Sequence, residues 1–145
     1  MLDGPDNTLQ PLYIPPEQIL TWMDRLRPHI QKMADGSGGR YETSDILTCL
    51  ATGAMQCFVA IEGIDLLAVM LTEIMNYPRF RAMRCIGISG RDAPRWTHLM
   101  TAIERVAKDN FGCTRIEAML PARLERLLTT GGWQPFHNLL EKDLT

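Results

Sequence analysis

The sequence has no excess of charge of either sign. Its 145 residues include 15 lysines and arginines and 17 aspartates and glutamates, which gives a formal net charge of −2. A surface that binds nucleic acid or an anionic membrane usually presents a basic patch, because a positive field attracts phosphate groups. The charge balance therefore predicts neither a nucleic-acid partner nor a membrane partner.

Metal-binding patterns are also absent from the sequence. The four cysteines lie far apart and form no Cys-x-x-Cys pair: Cys49, Cys57, Cys85 and Cys113. The three histidines fall in different predicted elements and lack the spacing of metal ligands: His29, His98 and His137. We therefore predict no metal site, and we expect the cysteines to act as small buried apolar side chains in a reducing compartment.

Long apolar runs are missing as well. No run approaches the roughly 20 residues that a membrane-spanning helix needs. The first ten residues are mostly polar, whereas a signal peptide has an apolar segment behind a basic start. These features predict a cytoplasmic chain without a membrane anchor.

The sequence does contain enough apolar side chains to build a core. Hydrophobic residues make up 46% of the chain, and the length is that of one ordinary domain. We therefore predict a single domain over residues 1–145, in which residues 1–8 form a flexible lead.

The spacing of apolar residues changes repeatedly along the chain. Recurrence at three- and four-residue intervals predicts helices, and short β-rich runs between turn residues predict strands. The predicted order is a strand over 9–14, helices over 17–34 and 43–52, strands over 55–61, 66–74 and 82–89, a helix ending at Phe111, a strand over 114–119, a helix opened by Pro121, and terminal strands within 133–144. This pattern predicts an α/β (α+β) domain that contains an antiparallel meander.

One carboxylate stands out among the predicted strands. Glu73 ends an apolar strand between Thr72 and Ile74, so it can face a cleft as a general base or point to solvent at the strand's edge. Three arginines follow in the next turn and strand: Arg79, Arg81 and Arg84. We favour a solvated face in which they pair with carboxylates such as Glu73, over a site for phosphate or an acidic partner.

Several local features accompany this order of elements. They are Ile86-Gly87-Ile88 in a predicted strand, Phe111-Gly112 at a helix end, and Gly132-Trp133 after the last helix. Together with the element order, they resemble the GNAT (N-acetyltransferase) family over nearly the whole chain. The resemblance implies a GNAT-like mixed central sheet whose fourth and fifth strands are parallel, flanked by about four helices.

The same resemblance assigns a cofactor loop. GNAT members bind the pyrophosphate of acetyl-CoA on a loop of pattern Arg/Gln-x-x-Gly-x-Gly/Ala, where bare backbone N–H groups approach the phosphates. The equivalent loop here consists of Arg91, Asp92, Ala93, Pro94, Arg95 and Trp96. Arg91 matches the first position, but Pro94 lacks an N–H and Trp96 adds bulk at the two glycine positions. We therefore predict that the normal pyrophosphate grip is absent.

The catalytic positions of the family also differ. Leu128 stands where many members have a tyrosine as general acid, and a leucine cannot donate a proton. Pro121 or Ala122 stands where many have an asparagine. A carboxylate on the central strands is commonly the family's general base, and Glu73 is the candidate here.

Three segments resemble small GNAT-like proteins of tailed bacteriophages and prophages. They are Gly38-Gly39-Arg40-Tyr41, Thr72-Glu73-Ile74 with the following Tyr77-Pro78, and Leu140-Glu141-Lys142-Asp143-Leu144. This resemblance implies a non-catalytic protein without a cofactor, made in the host cytoplasm and carried in the virion. It would bind other protein chains, such as phage structural proteins or further copies of itself. The alternative is an N-acyltransferase that uses acetyl-CoA through an atypical loop.

Overall fold

Five strands in the described part of the chain form one mixed sheet. The computed structural model describes residues 9–91, 99–120, 125–129 and 131–145. The strands are β1 (Leu9–Ile14), β2 (Met55–Glu62), β3 (Asp65–Asn76), β4 (Arg81–Gly90) and β5 (Arg115–Ala118), and they lie side by side in chain order. Each of the first four pairs antiparallel with the next, whereas β5 runs parallel to β4. The predicted fold class is confirmed, including the meander and the parallel pair.

Helices cover both faces of this sheet. They are α1 (Ile19–Asp35), α2 (Thr43–Thr52), α3 (Leu99–Phe111) and the short α4 (Glu125–Thr129). A 3-10 turn at Pro16–Gln18 precedes α1, where a proline fits because the first turn of a helix needs no N–H donor. Pro28 lies inside α1, and the helix continues through it.

The sheet separates two apolar cores. On one face, α1 and α2 pack Leu26, Ile30 and Leu50 against strand residues that include Val69 and Leu71. On the other face, the core around Met70 includes α3 residues such as Leu99 and Ile103. Side chains on a strand alternate between faces, so β3, which is buried along most of its length, contributes to both cores. The central strands are thereby fixed from both sides.

A β-bulge interrupts β4 at Ile86. Leu71 of β3 pairs with Gly87 and the next residue, Thr72, pairs with Cys85, so Ile86 is the extra residue. The parallel pairing of β4 with β5 ends at the same place, because its last pair is Cys85 with Ala118. Residues 86–90 of β4 therefore have no strand partner on the β5 side within the described chain.

The predicted terminal strands do not form. Residues 133–145 follow the last helix without a helix or strand of their own, and nearly all of them are exposed. Their exposed large apolar side chains stand at positions 136, 139, 140 and 144, which do not alternate as they would along a half-buried strand. The prediction failed because the apolar content of this stretch was interpreted as strand, although the spacing of its side chains is not that of a strand.

The cysteines behave as the sequence suggests. Cys57, Cys85 and Cys113 are buried, Cys49 is half-buried, and all four are free thiols. Burial raises the pKa of Cys57 and of Cys85 to about 12, so both remain protonated and unreactive at neutral pH.

A search of the described residues finds no helix with the length and apolarity required to cross a bilayer. The single-domain prediction stays a prediction, and the proposed lead at residues 1–8 lies outside the described residues.

Candidate functional site

Residues 86–90 of β4, which we call the open half of the strand because they lack a described β5 partner, are bordered by α1. The side chain of Met33 approaches Gly87 so closely that a Cβ on that glycine would lie 2.9 Å from the Met33 sulfur. Next along the strand, Ser89 is buried, and its hydroxyl oxygen lies 2.9 Å from Nδ1 of His29. α1 therefore contacts β4 where the strand has lost its β5 neighbour. Residues 86–90 therefore direct their backbone N–H and C=O groups to the side that lacks a described strand, while side chains of α1 pack on one face of the strand.

His29 was missed as a site residue in the sequence. It is half-buried, and the loss of hydration lowers its pKa below the ordinary 6.5, with smaller contributions from the positive charges of Lys32 and Arg91. The ring is therefore neutral at pH 7 and shares a hydrogen bond with Ser89. The two residues are 60 positions apart in sequence, so no local pattern could have paired them.

The predicted cofactor loop is described at its first residue only. Arg91 follows β4, and its backbone N–H donates to the carbonyl oxygen of Leu67 at 3.1 Å. The other five loop residues lie outside the described residues: Asp92, Ala93, Pro94, Arg95 and Trp96. The prediction about the pyrophosphate grip therefore stays a prediction.

A row of polar side chains crosses the sheet below the open edge. Glu73 of β3 pairs in register with Arg84 of β4, and Arg84 pairs with Glu117 of β5. Residues directly opposite on paired strands project from the same face, so the three side chains share a face. It is the α1 and α2 face, because Leu71, two residues before Glu73 on β3, packs against those helices.

Arg84 directs its guanidinium away from Glu73. Its Nε donates to Glu117 Oε1 at 3.0 Å, and its Nη2 donates to the Tyr77 hydroxyl at 2.8 Å. The Tyr77 hydroxyl in turn donates to the same Glu117 oxygen at 2.9 Å. The three groups form a closed network that is partly buried. Charge-assisted bonds of this kind are stronger than neutral ones, so the network holds Arg84 in place.

Glu73 is left without an ion pair to any described residue. It is half-buried, and it lies near Tyr41, whose pKa is raised first by burial and then by the Glu73 charge. The arginines meet the predicted solvated face and carboxylate pairing only in part, because Glu73 is not the carboxylate that Arg84 pairs with. Arg84 pairs with Glu117 instead, and Arg79 and Arg81 are exposed.

The remaining catalytic positions contain no proton donor in the described residues. Leu128 packs against the α3 core, as does Trp133. The asparagine-equivalent positions, Pro121 and Ala122, lie outside the described residues. Nor do the described residues contain any group of three or more histidine, cysteine, aspartate or glutamate side chains arranged to hold a metal ion.

Solved structures share this fold over almost the full chain. An aminoglycoside N-acetyltransferase in complex with CoA superposes with a TM-score of 0.70 at 13% identity, and the match covers 99% of this chain and 97% of that one. A GCN5-related N-acetyltransferase from Ralstonia eutropha JMP134 gives 0.64 at 15% identity, covering 94% and 99%. A predicted acetyltransferase from Clostridium acetobutylicum with acetyl-CoA gives 0.63 at 13% identity, covering 94% and 96%.

Neither a protein-family model nor a curated protein matches the sequence. At these identities the likenesses establish the fold alone, and it is the GNAT fold expected from the sequence.

The His29 contact predicts a pH-dependent stability. Because the pKa of His29 is lower in the folded chain than in the unfolded chain, the unfolded state binds the proton first as the pH falls below about 6.5. The free energy of unfolding should therefore decrease as the pH is lowered from 7.5 to 5.5, and part of this decrease should disappear in His29→Asn. Urea unfolding at the two pH values measures it.

Replacement of the exposed His137 by Asn is the matched control for the loss of one imidazole from the chain. An equal pH dependence in the parent and in His29→Asn would show that His29 titrates alike in both states.

Proposed function

We propose that this protein is an acetyl-CoA-dependent N-acyltransferase in which Glu73 accepts a proton from the acceptor amine. The observation that carries the proposal is the half-buried Glu73 carboxylate, which has no ion pair to a described residue although Arg84 stands directly opposite it. A general base must be free to take a proton, and a carboxylate held in a salt bridge is a weaker base. The shared acetyltransferase fold supports the same assignment.

The open half of β4 could bind the pantetheine arm of coenzyme A through backbone hydrogen bonds. That arm carries two amide groups, and an unpaired strand edge offers N–H and C=O groups at the spacing that amides require. Gly87 and Gly90 present no side chains there. Two of the similar structures contain CoA or acetyl-CoA, which supports this cofactor for the present chain.

The residues around Glu73 would have different roles in the reaction. Acetyl-CoA would supply the acetyl thioester. Glu73 would take the amine proton, directly or through a water, so that the nitrogen lone pair is available for attack. Glu117 and Tyr77 would act on Glu73 indirectly, because they keep Arg84 from neutralising it. Since Leu128 packs in the core, solvent would protonate the leaving thiolate.

The phage or virion role stays a prediction. The likenesses support the acetyltransferase fold, and they add nothing to a role in virion assembly. The protein-binding role and the host-cytoplasm and virion locations stay expectations from the sequence for the same reason.

Removal of the Glu73 carboxylate tests the proposed base. Acetyl-CoA should bind both the parent and Glu73→Gln with similar affinity by isothermal calorimetry, because the change is confined to the proton acceptor. Thiol release in the presence of aminoglycosides, polyamines or peptide amines should fall about 10²- to 10⁴-fold in the variant. Glu104→Gln, an exposed change on the opposite face of the sheet, should retain full turnover.

The absence of both binding heat and a thermal shift with millimolar acetyl-CoA would refute the proposed function. Unchanged turnover in Glu73→Gln would refute the base alone.

The network around Arg84 makes a separate prediction. In Glu117→Gln, Arg84 loses its anionic partner and can turn to the carboxylate opposite it, so Glu73 becomes a weaker base. We therefore expect turnover to fall, by up to about tenfold. The double change Arg84→Met with Glu117→Gln should restore turnover towards that of the parent, because no cation remains to pair with Glu73.

Steady-state rates and thermal unfolding measure these variants together. If the double variant is folded and stays as slow as Glu117→Gln, the network does not act through Arg84.

A further inference from the structure

The C-terminal tail, residues 133–145, packs Trp133 against the α3 core and presents its other large apolar side chains to solvent. Beyond Trp133, the large apolar residues of the tail are Phe136, Leu139, Leu140 and Leu144, and they are 87%, 67%, 88% and 90% exposed. Single exposed apolar residues are common on proteins, but a short segment with four of them is typical of a contact surface. The tail is thus a surface that the isolated chain leaves uncovered.

The spacing of these residues is that of a helix. Positions 136, 139, 140 and 144 follow an i, i+3, i+4, i+8 pattern, which places all four side chains on one side of an α-helix. An isolated helix of this length is unstable in water, because nucleation is costly and no surface covers its apolar side. The absence of regular structure in the tail of a single chain is therefore expected, and a helix needs a partner.

We infer that this partner is a second copy of the chain, and that two tails pair as antiparallel amphipathic helices. When two copies of the tail are laid antiparallel about Leu140, that residue meets its own copy and Phe136 meets Leu144 of the other copy. In the same register, the anionic Asp143 meets His137, whose ring can donate a hydrogen bond. The tail sequence thus complements itself in apolar contacts and in polar contacts, as a two-fold symmetric interface requires.

Among the described residues, one ion pair joins the exposed part of the tail to the rest of the chain. Its ion pair with the body joins Glu141 to Arg40, in the loop between α1 and α2, and both side chains are largely exposed. Exposed ion pairs contribute little, typically about 0–1 kcal/mol. The tail can therefore leave this contact to meet a second tail, at a small free-energy cost.

The size of the contact sets the expected affinity. A standard interface uses roughly 20–30 residues a side, and residues 136–144 offer far fewer. We expect a dissociation constant in the micromolar range, with monomer and dimer in rapid exchange. The association does not involve Glu73 or the open edge of β4, so it holds whether or not the chain is an enzyme.

Sedimentation velocity of the full chain over about 1 to 500 µM tests this inference, since that range brackets a micromolar constant. The parent should shift from monomer to dimer as the concentration rises, and helical circular dichroism at 222 nm should rise with it. Leu140→Asp places two carboxylates opposite each other at the centre of the pair, so it should weaken association about tenfold or more.

Ile64→Asp is the matched control, because Ile64 is 84% exposed and lies in the turn between β2 and β3. It should dimerise like the parent. A parent that remains monomeric throughout overturns the inference and leaves the tail to a different partner. A dimer that Leu140→Asp does not weaken, or that forms without a gain in helix, also overturns it.

Discussion

Strand β4 has two neighbouring strands of unequal length. The candidate site depends on this difference, because it leaves part of β4 paired on one side only. On one side, β3 runs for 12 residues and pairs with nearly all of β4; on the other, β5 has only four residues. The bulge at Ile86 falls where the shorter neighbour ends. From that residue onward, β4 is fixed by β3 and α1, and its other edge lacks a described strand partner. Both cores anchor β3, so the strand that pairs with this part of β4 is fixed from both sides.

The electrostatics of the polar row depend on the same register. Parallel pairing brings Glu117 beside Arg84, and antiparallel pairing brings Glu73 to its other side. One guanidinium thus lies between two carboxylates, and the Tyr77 hydroxyl favours the Glu117 side, since it bonds both members of that pair. A shift by one residue on β5 would turn Glu117 to the other face. Whether Glu73 forms an ion pair with Arg84 therefore depends on the register of β5.

The sequence predicted the elements well and the contacts between them poorly. The strands and α3 could be located because apolar spacing reports which side of an element is buried, and β3 and α3 are strongly patterned. Glu73 could be chosen as a site residue because a carboxylate at the end of an apolar run is unusual. Its separation from Arg84 could not be predicted, because the competing Glu117 is 33 positions from Arg84 and depends on a parallel register. The prediction of terminal strands was wrong because the apolar content of residues 133–144 was given more weight than the helical spacing of the tail.

Our central proposal is that coenzyme A binds the edge of β4 at residues 86–90, which has no strand partner on the β5 side among the described residues. A titration of the backbone amides of the isotope-labelled chain with CoA, followed by NMR, tests it most directly. The account predicts that the amides of residues 86–90 shift in a saturable way, while those of β1, at the far edge of the sheet, do not. Saturable shifts confined to other parts of the sheet, or no shifts at millimolar CoA, would contradict it.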